Sequence, residues 1–120
     1  MAATFGTETT WRRHCTREEA DDLARRLTIS KAELARTVRV QPSALSRDNL
    51  SAATQAAFDP LLNILESATK VAGNEERAVT WFNHYPIVPM GRLPAIAHLA
   101  YGDAEGVKEF MDLTQDGVYS

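Results

Sequence analysis

The sequence predicts an all-α chain built from two short helical units. Three observations predict it. Ser, Thr, Asn and Asp stand where helices would begin, Ala and Leu recur behind them at helical spacing, and no stretch shows the two-residue alternation of a half-buried strand.

The elements follow in order. Thr16-Arg17-Glu18-Glu19 is a capping box, opening a helix with Ala20, Leu23, Ala24 and Leu27 on one face. Ser30-Lys31-Ala32-Glu33 is a second, ahead of a short helix holding Leu34 and Ala35 that runs out near Thr37, where β-branched Val38 and Val40 disfavour helix. Pro42 suits the first position of a new helix over 42–48, with Ala44 and Leu45 facing in. Ser51 caps the next segment, where Phe58, Leu61, Leu65, Ala68 and Ala72 form one stripe. Pro60 within it either kinks one long helix or starts a second after Asp59. Gly73 ends that segment, and Asn74 caps a helix with Ala78, Trp81 and Phe82 on its apolar face. Residues 84–94 carry three prolines and Gly91 and read as an irregular loop. A short helix over 94–100 stops near Gly102. Asp103 then caps a last helix with Val107, Phe110, Met111 and Leu113 on its buried side, stopped by Gly117. The organisation expected is an N-terminal segment (1–15), a first helical domain (16–72) and a second (73–120).

At 44% hydrophobic, the 120-residue chain has enough apolar mass for a core and too much for a disordered polymer. No apolar run approaches the roughly 18 residues of a membrane span, and residues 1–10 are polar where a secretory signal would be apolar, so a cytoplasmic protein is expected. Cys15 is the only cysteine, which rules out an internal disulfide and leaves a free thiol, buried or half-buried. Residues 1–50 hold nine Lys and Arg against seven Asp and Glu, and residues 51–120 hold four against nine. A basic first half suits phosphate and an acidic second half suits a protein surface, although solvated helix faces fluctuate this much by chance.

The first constellation is Glu33-Leu34-Ala35, Val38-Arg39-Val40 and Leu45-Ser46-Arg47. Two short helices meeting at a steep angle need a small residue on the first (Ala35) and apolar anchors beyond it (Val38, Val40, Leu45). The outer face of the second must stay polar to enter a major groove, here Gln41, Ser43, Ala44, Ser46 and Arg47. The same pattern serves elsewhere as a plain packing unit. It resembles the helix-turn-helix of lambda-repressor-like (Xre) regulators over roughly 17–66, departing at Arg39, where such units usually carry glycine. The second constellation is Trp81-Phe82, Gly91-Arg92-Leu93-Pro94, Tyr101-Gly102-Asp103 and Gly117. This order resembles the C-terminal toxin-binding domain of the Xre/MbcA/ParS family of antitoxins over about 70–120, departing in the loop 83–89.

The resemblance implies an antitoxin that occludes the active site of a RES-domain toxin, which degrades NAD, and represses its own operon by binding operator DNA. A homodimer within a larger hetero-oligomer is expected, since the modest charge of one copy suits weak phosphate binding. The toxin contacts implied are Phe82, Arg92, Asp116, Val118, Tyr119 and Ser120, with Tyr119 and the terminal carboxylate shaped to enter a cleft. The alternative is a stand-alone dimeric helix-turn-helix regulator whose second module only dimerises; a further rival is an adaptor that has lost DNA binding.

No catalytic order of residues is visible, so neither an enzyme nor a cofactor is expected. His14, Cys15, His84 and His98 fit no zinc spacing. Glu18, Glu19, Asp21 and Asp22 read as acids favoured by the helix dipole. Trp81, Phe82, Phe110 and Met111 read as core. Trp11, among bases, packs on the first helix or joins a dimer interface.

Overall fold

The computed structural model of the chain describes Trp11 and residues 16–115. His14, Cys15, Asp116, Gly117, Val118, Tyr119 and Ser120, singled out above, lie outside these residues. Among the described residues the structure is mostly helical and has no strand, only isolated bridges pairing Thr16 with Asn49 and Ile87 with Leu93.

Helix α1 (Arg17–Leu27) opens on the complete capping box. The Glu19 amide donates to Thr16 Oγ1 at 3.2 Å and the Thr16 amide to Glu19 Oε1 at 3.1 Å. Helix α2 (Lys31–Val38) is capped by Ser30, whose Oγ accepts from the Glu33 amide at 3.0 Å. It ends on Arg39, which takes the left-handed conformation (φ 62°, ψ 47°) that the missing glycine would have supplied.

The element after this turn is shorter than the sequence suggests. It is a five-residue 3-10 helix, Pro42–Ser46, and Arg47 is already extended. The reason lies in its carbonyls. Leu45 O accepts from Lys31 Nζ at 3.3 Å and Ser46 O from an Arg17 guanidinium nitrogen at 3.4 Å. Asp48 O accepts from the Arg17 amide, and its carboxylate pairs with the Arg17 guanidinium at 3.4 Å. The chain is drawn onto the start of α1 instead of winding on.

The segment with Pro60 is two helices, α3 (Ala52–Ala57), capped by Ser51, and α4 (Asp59–Ala72). The break falls at Phe58, and Pro60 sits in the first turn of α4, where its missing N–H costs nothing. Gly73 closes α4 at φ 94°, and Asn74 caps α5 (Glu75–His84) through the Arg77 amide at 2.8 Å. A loop with a 3-10 turn (Val88–Met90) leads to α6 (Ala95–Ala100). In α7 (Ala104–Gln115), Asp103 Oδ1 accepts from the Gly106 amide at 3.1 Å.

Helix α4 packs against both α5 and α7, while α2 packs against α6. The buried side chains form one cluster drawn from both halves of the sequence, with Leu23, Leu34, Phe58, Leu61, Leu65, Phe82, Ile87 and Val107 almost fully enclosed. The expected boundary at 72/73 is therefore a helix break with no gap in the core.

Leu113, Trp81 and Phe110 depart from the expected core, Phe110 being half-buried, while Trp11 takes the first of its two expected places, packed on α1. Leu113 is 58% exposed, because it lies six residues beyond Val107 and so well round the helix from the Val107/Met111 face. Trp81 is half-buried, its ring stacked on Tyr85 at 6.3 Å. Trp11 is the enclosed tryptophan, at 3% exposure. Its Nε1 donates to Thr69 Oγ1 at 2.9 Å, and the Arg26 guanidinium lies 4.3 Å from its ring centre. Arg26 also pairs with Glu75, joining α1 to α5.

Candidate functional site: a polar turn and an aromatic face

The 3-10 helix Pro42–Ser46 is anchored from within by Leu45, which is fully buried. At three residues per turn, Ser43 and Ser46 fall on one edge, and both are exposed, as are Gln41 before them and Arg47 after them. Ala44, also expected on the outer face, is half-buried. At about 2 Å rise per residue the element is roughly 10 Å long. Arg36, on α2, is also exposed. Of the cations nearby, Lys31 is held by Asp21 and Leu45 O, and Arg17 by Asp48, so both serve to fix the turn.

The second candidate surface is formed by α5 and the loop after it. Trp81 and Tyr85 stack nearly parallel, at 22°, beside a groove of roughly 750 Å³ lined also by Glu76, Arg77, Thr80 and His84. Tyr85 is 49% exposed, Val88 60% and Leu93 40%, three large side chains turned outward from one loop. Arg92 is exposed and left-handed (φ 66°), directly after left-handed Gly91. Ile87, fully buried and bonded through its amide to Leu93 O at 3.1 Å, pins the loop to the core.

Of the predicted partner contacts, Phe82 cannot touch a partner, because it is fully enclosed. It supports the face on which Trp81 and Tyr85 stand. Sequence reasoning missed Tyr85 and Val88, which carry no motif and are marked only by exposure. It also missed Asn83, whose amide nitrogen donates to Leu27 O at 2.8 Å and fixes α5 on the end of α1.

Among the described residues no three His, Cys, Asp or Glu side chains gather as a metal-ion set. Nor is any helix of the described residues long and apolar enough to cross a membrane. In comparisons with known proteins, no family model, no curated protein and no solved structure matches the chain.

Proposed function

We propose that the chain is an antitoxin-type binding protein. It meets operator DNA through Gln41, Ser43, Ser46 and Arg47, and a protein partner, a RES-domain toxin, through the face built by α5 and its following loop. The observation that carries this reading is the exposed polar edge of Pro42–Ser46, held out by buried Leu45 directly after a left-handed turn. Gln41 before the element, Ser43 and Ser46 within it and Arg47 after it are exposed together, which supports a polar contact there. The aromatic face supports the second half of the reading, since clustered aromatics beside a groove are the usual anchors of protein interfaces.

Inhibition then works by occlusion and needs no chemistry from this chain. Two experiments test the halves separately. Co-expression with the product of the neighbouring reading frame should yield a complex, and the duplex upstream of the chain's own reading frame should be shifted by it in a gel. Duplex binding with no captured partner would favour the stand-alone regulator; neither would overturn both halves.

A further inference from the structure

Arg39 lies in both halves of the molecule. Its backbone forms the left-handed end of α2, with the Arg39 amide bonded to Arg36 O at 3.2 Å and the Val40 amide to Ala35 O at 2.9 Å. Its side chain crosses to the other half, where Nη1 donates to Ala100 O, the last residue of α6, at 3.1 Å. A cation there meets the negative end of the helix and a carbonyl with no partner inside it. The corner beyond it turns on Gly102 (φ 88°), and a Cβ placed on Gly102 would fall 2.8 Å from Arg39 Nη1 and 3.1 Å from its Cζ. The guanidinium occupies the space that any side chain at 102 would need. Beneath it lies a cleft of roughly 290 Å³ lined by Val38, Ala57, Leu61, Leu99 and Ala104, which leaves room for the corner to shift.

We propose that Arg39 makes the turn after α2 and the corner between α6 and α7 one conformational unit, so that a change at either is felt at the other. Its regulatory meaning rests on the turn's facing DNA. A shift of the corner, where Tyr101 is 73% exposed, then changes DNA affinity without any contact to DNA. By linkage, DNA changes the equilibrium of the corner by the same factor. The coupling itself needs no ligand and is measured without one.

The test is backbone hydrogen exchange in the full chain. Glycine adopts the left-handed conformation freely, so Arg39→Gly keeps the turn and removes only the side chain. It is expected to speed exchange at Tyr101, Gly102 and Asp103, whose amides bond to Ala97 O, Leu99 O and His98 O, by about fivefold, the low end of couplings between sites. Gly102→Ala displaces the guanidinium and is expected to speed exchange at Arg39 and Val40 by a similar factor. Gly91→Ala is the control. It imposes comparable backbone strain (φ 81°) with nothing within 4 Å, and should leave Arg39 and Val40 at wild-type rates. Wild-type exchange at the corner in Arg39→Gly, or equal effects of Gly102→Ala and Gly91→Ala on the turn, overturns the coupling. Reciprocal coupling in a chain that binds no duplex overturns the DNA reading and leaves the coupling standing.

Discussion

The indole of Trp11 is almost wholly enclosed. Thr69 accepts its N–H, Arg26 covers its ring, and Glu75 holds Arg26 in place. Thr69 Oγ1 donates onward to Leu65 O at 2.8 Å, so the side chain before α1 is tied to the middle of α4. Trp81 stacks on Tyr85 beside an open groove. The two tryptophans should therefore respond differently to truncation. Trp11→Ala is expected to cost about 3–5 kcal/mol, as a large aromatic lost from a core does. Trp81→Ala is expected to cost roughly 1–2 kcal/mol, the share of a full burial that a half-buried ring makes, while capture of the partner falls. Urea unfolding of both variants measures the difference, and a larger loss for Trp81 contradicts the assignment. Sequence favoured Trp81 because it stands in a recognisable order of residues. The partners of Trp11 lie 15 and 58 positions away, and no local pattern announces them.

At the scale of elements, the caps were legible. Thr16, Ser30, Ser51, Asn74 and Asp103 all accept from the first turn of the helix that follows. Capping is decided within four residues, so the sequence contains all of its physics. Thr16→Ala should accordingly cost about 1 kcal/mol, read as a lower melting midpoint with the helical signal kept. The element over 42–48 was read too long because its end is set from outside, by Lys31 and Arg17 capturing the carbonyls of Leu45 and Ser46. Leu45 holds the same element from inside, and Leu45→Ala should cost about 2–5 kcal/mol. Duplex binding should fall further than the folded fraction does, which gel shift and circular dichroism on the same samples would separate. Equal losses would mean that the turn needs no anchor. The inward face of α7 was legible through Val107 and Met111, whereas Leu113 was drawn in by hydrophobicity at the wrong angle.

At the scale of the whole molecule, the all-α class was legible and the continuity of the core was not. Gly73 and Asn74 read as a boundary because they break the helix, yet α4 on one side packs against α5 and α7 on the other. A fragment of residues 16–72 would leave Leu61, Ile64, Leu65 and Ala68 without their cover. It is expected to melt without a cooperative transition, and a sharp transition in that fragment would contradict the single core. One body then presents a polar turn on one element and an aromatic face on another. The measurement that bears most directly on the central proposal is an anisotropy titration of the upstream duplex with the intact chain and with Arg47→Ala, each at several salt concentrations. Arg47 is exposed and extended beside the turn, with no role in the core, so its loss should leave the fold unchanged. The account predicts binding that weakens by about 1–3 kcal/mol in Arg47→Ala if the side chain reads a base edge, or a salt slope smaller by about 1 if it meets a phosphate. Affinity and slope both equal to wild type, in a variant with unchanged melting, would contradict it.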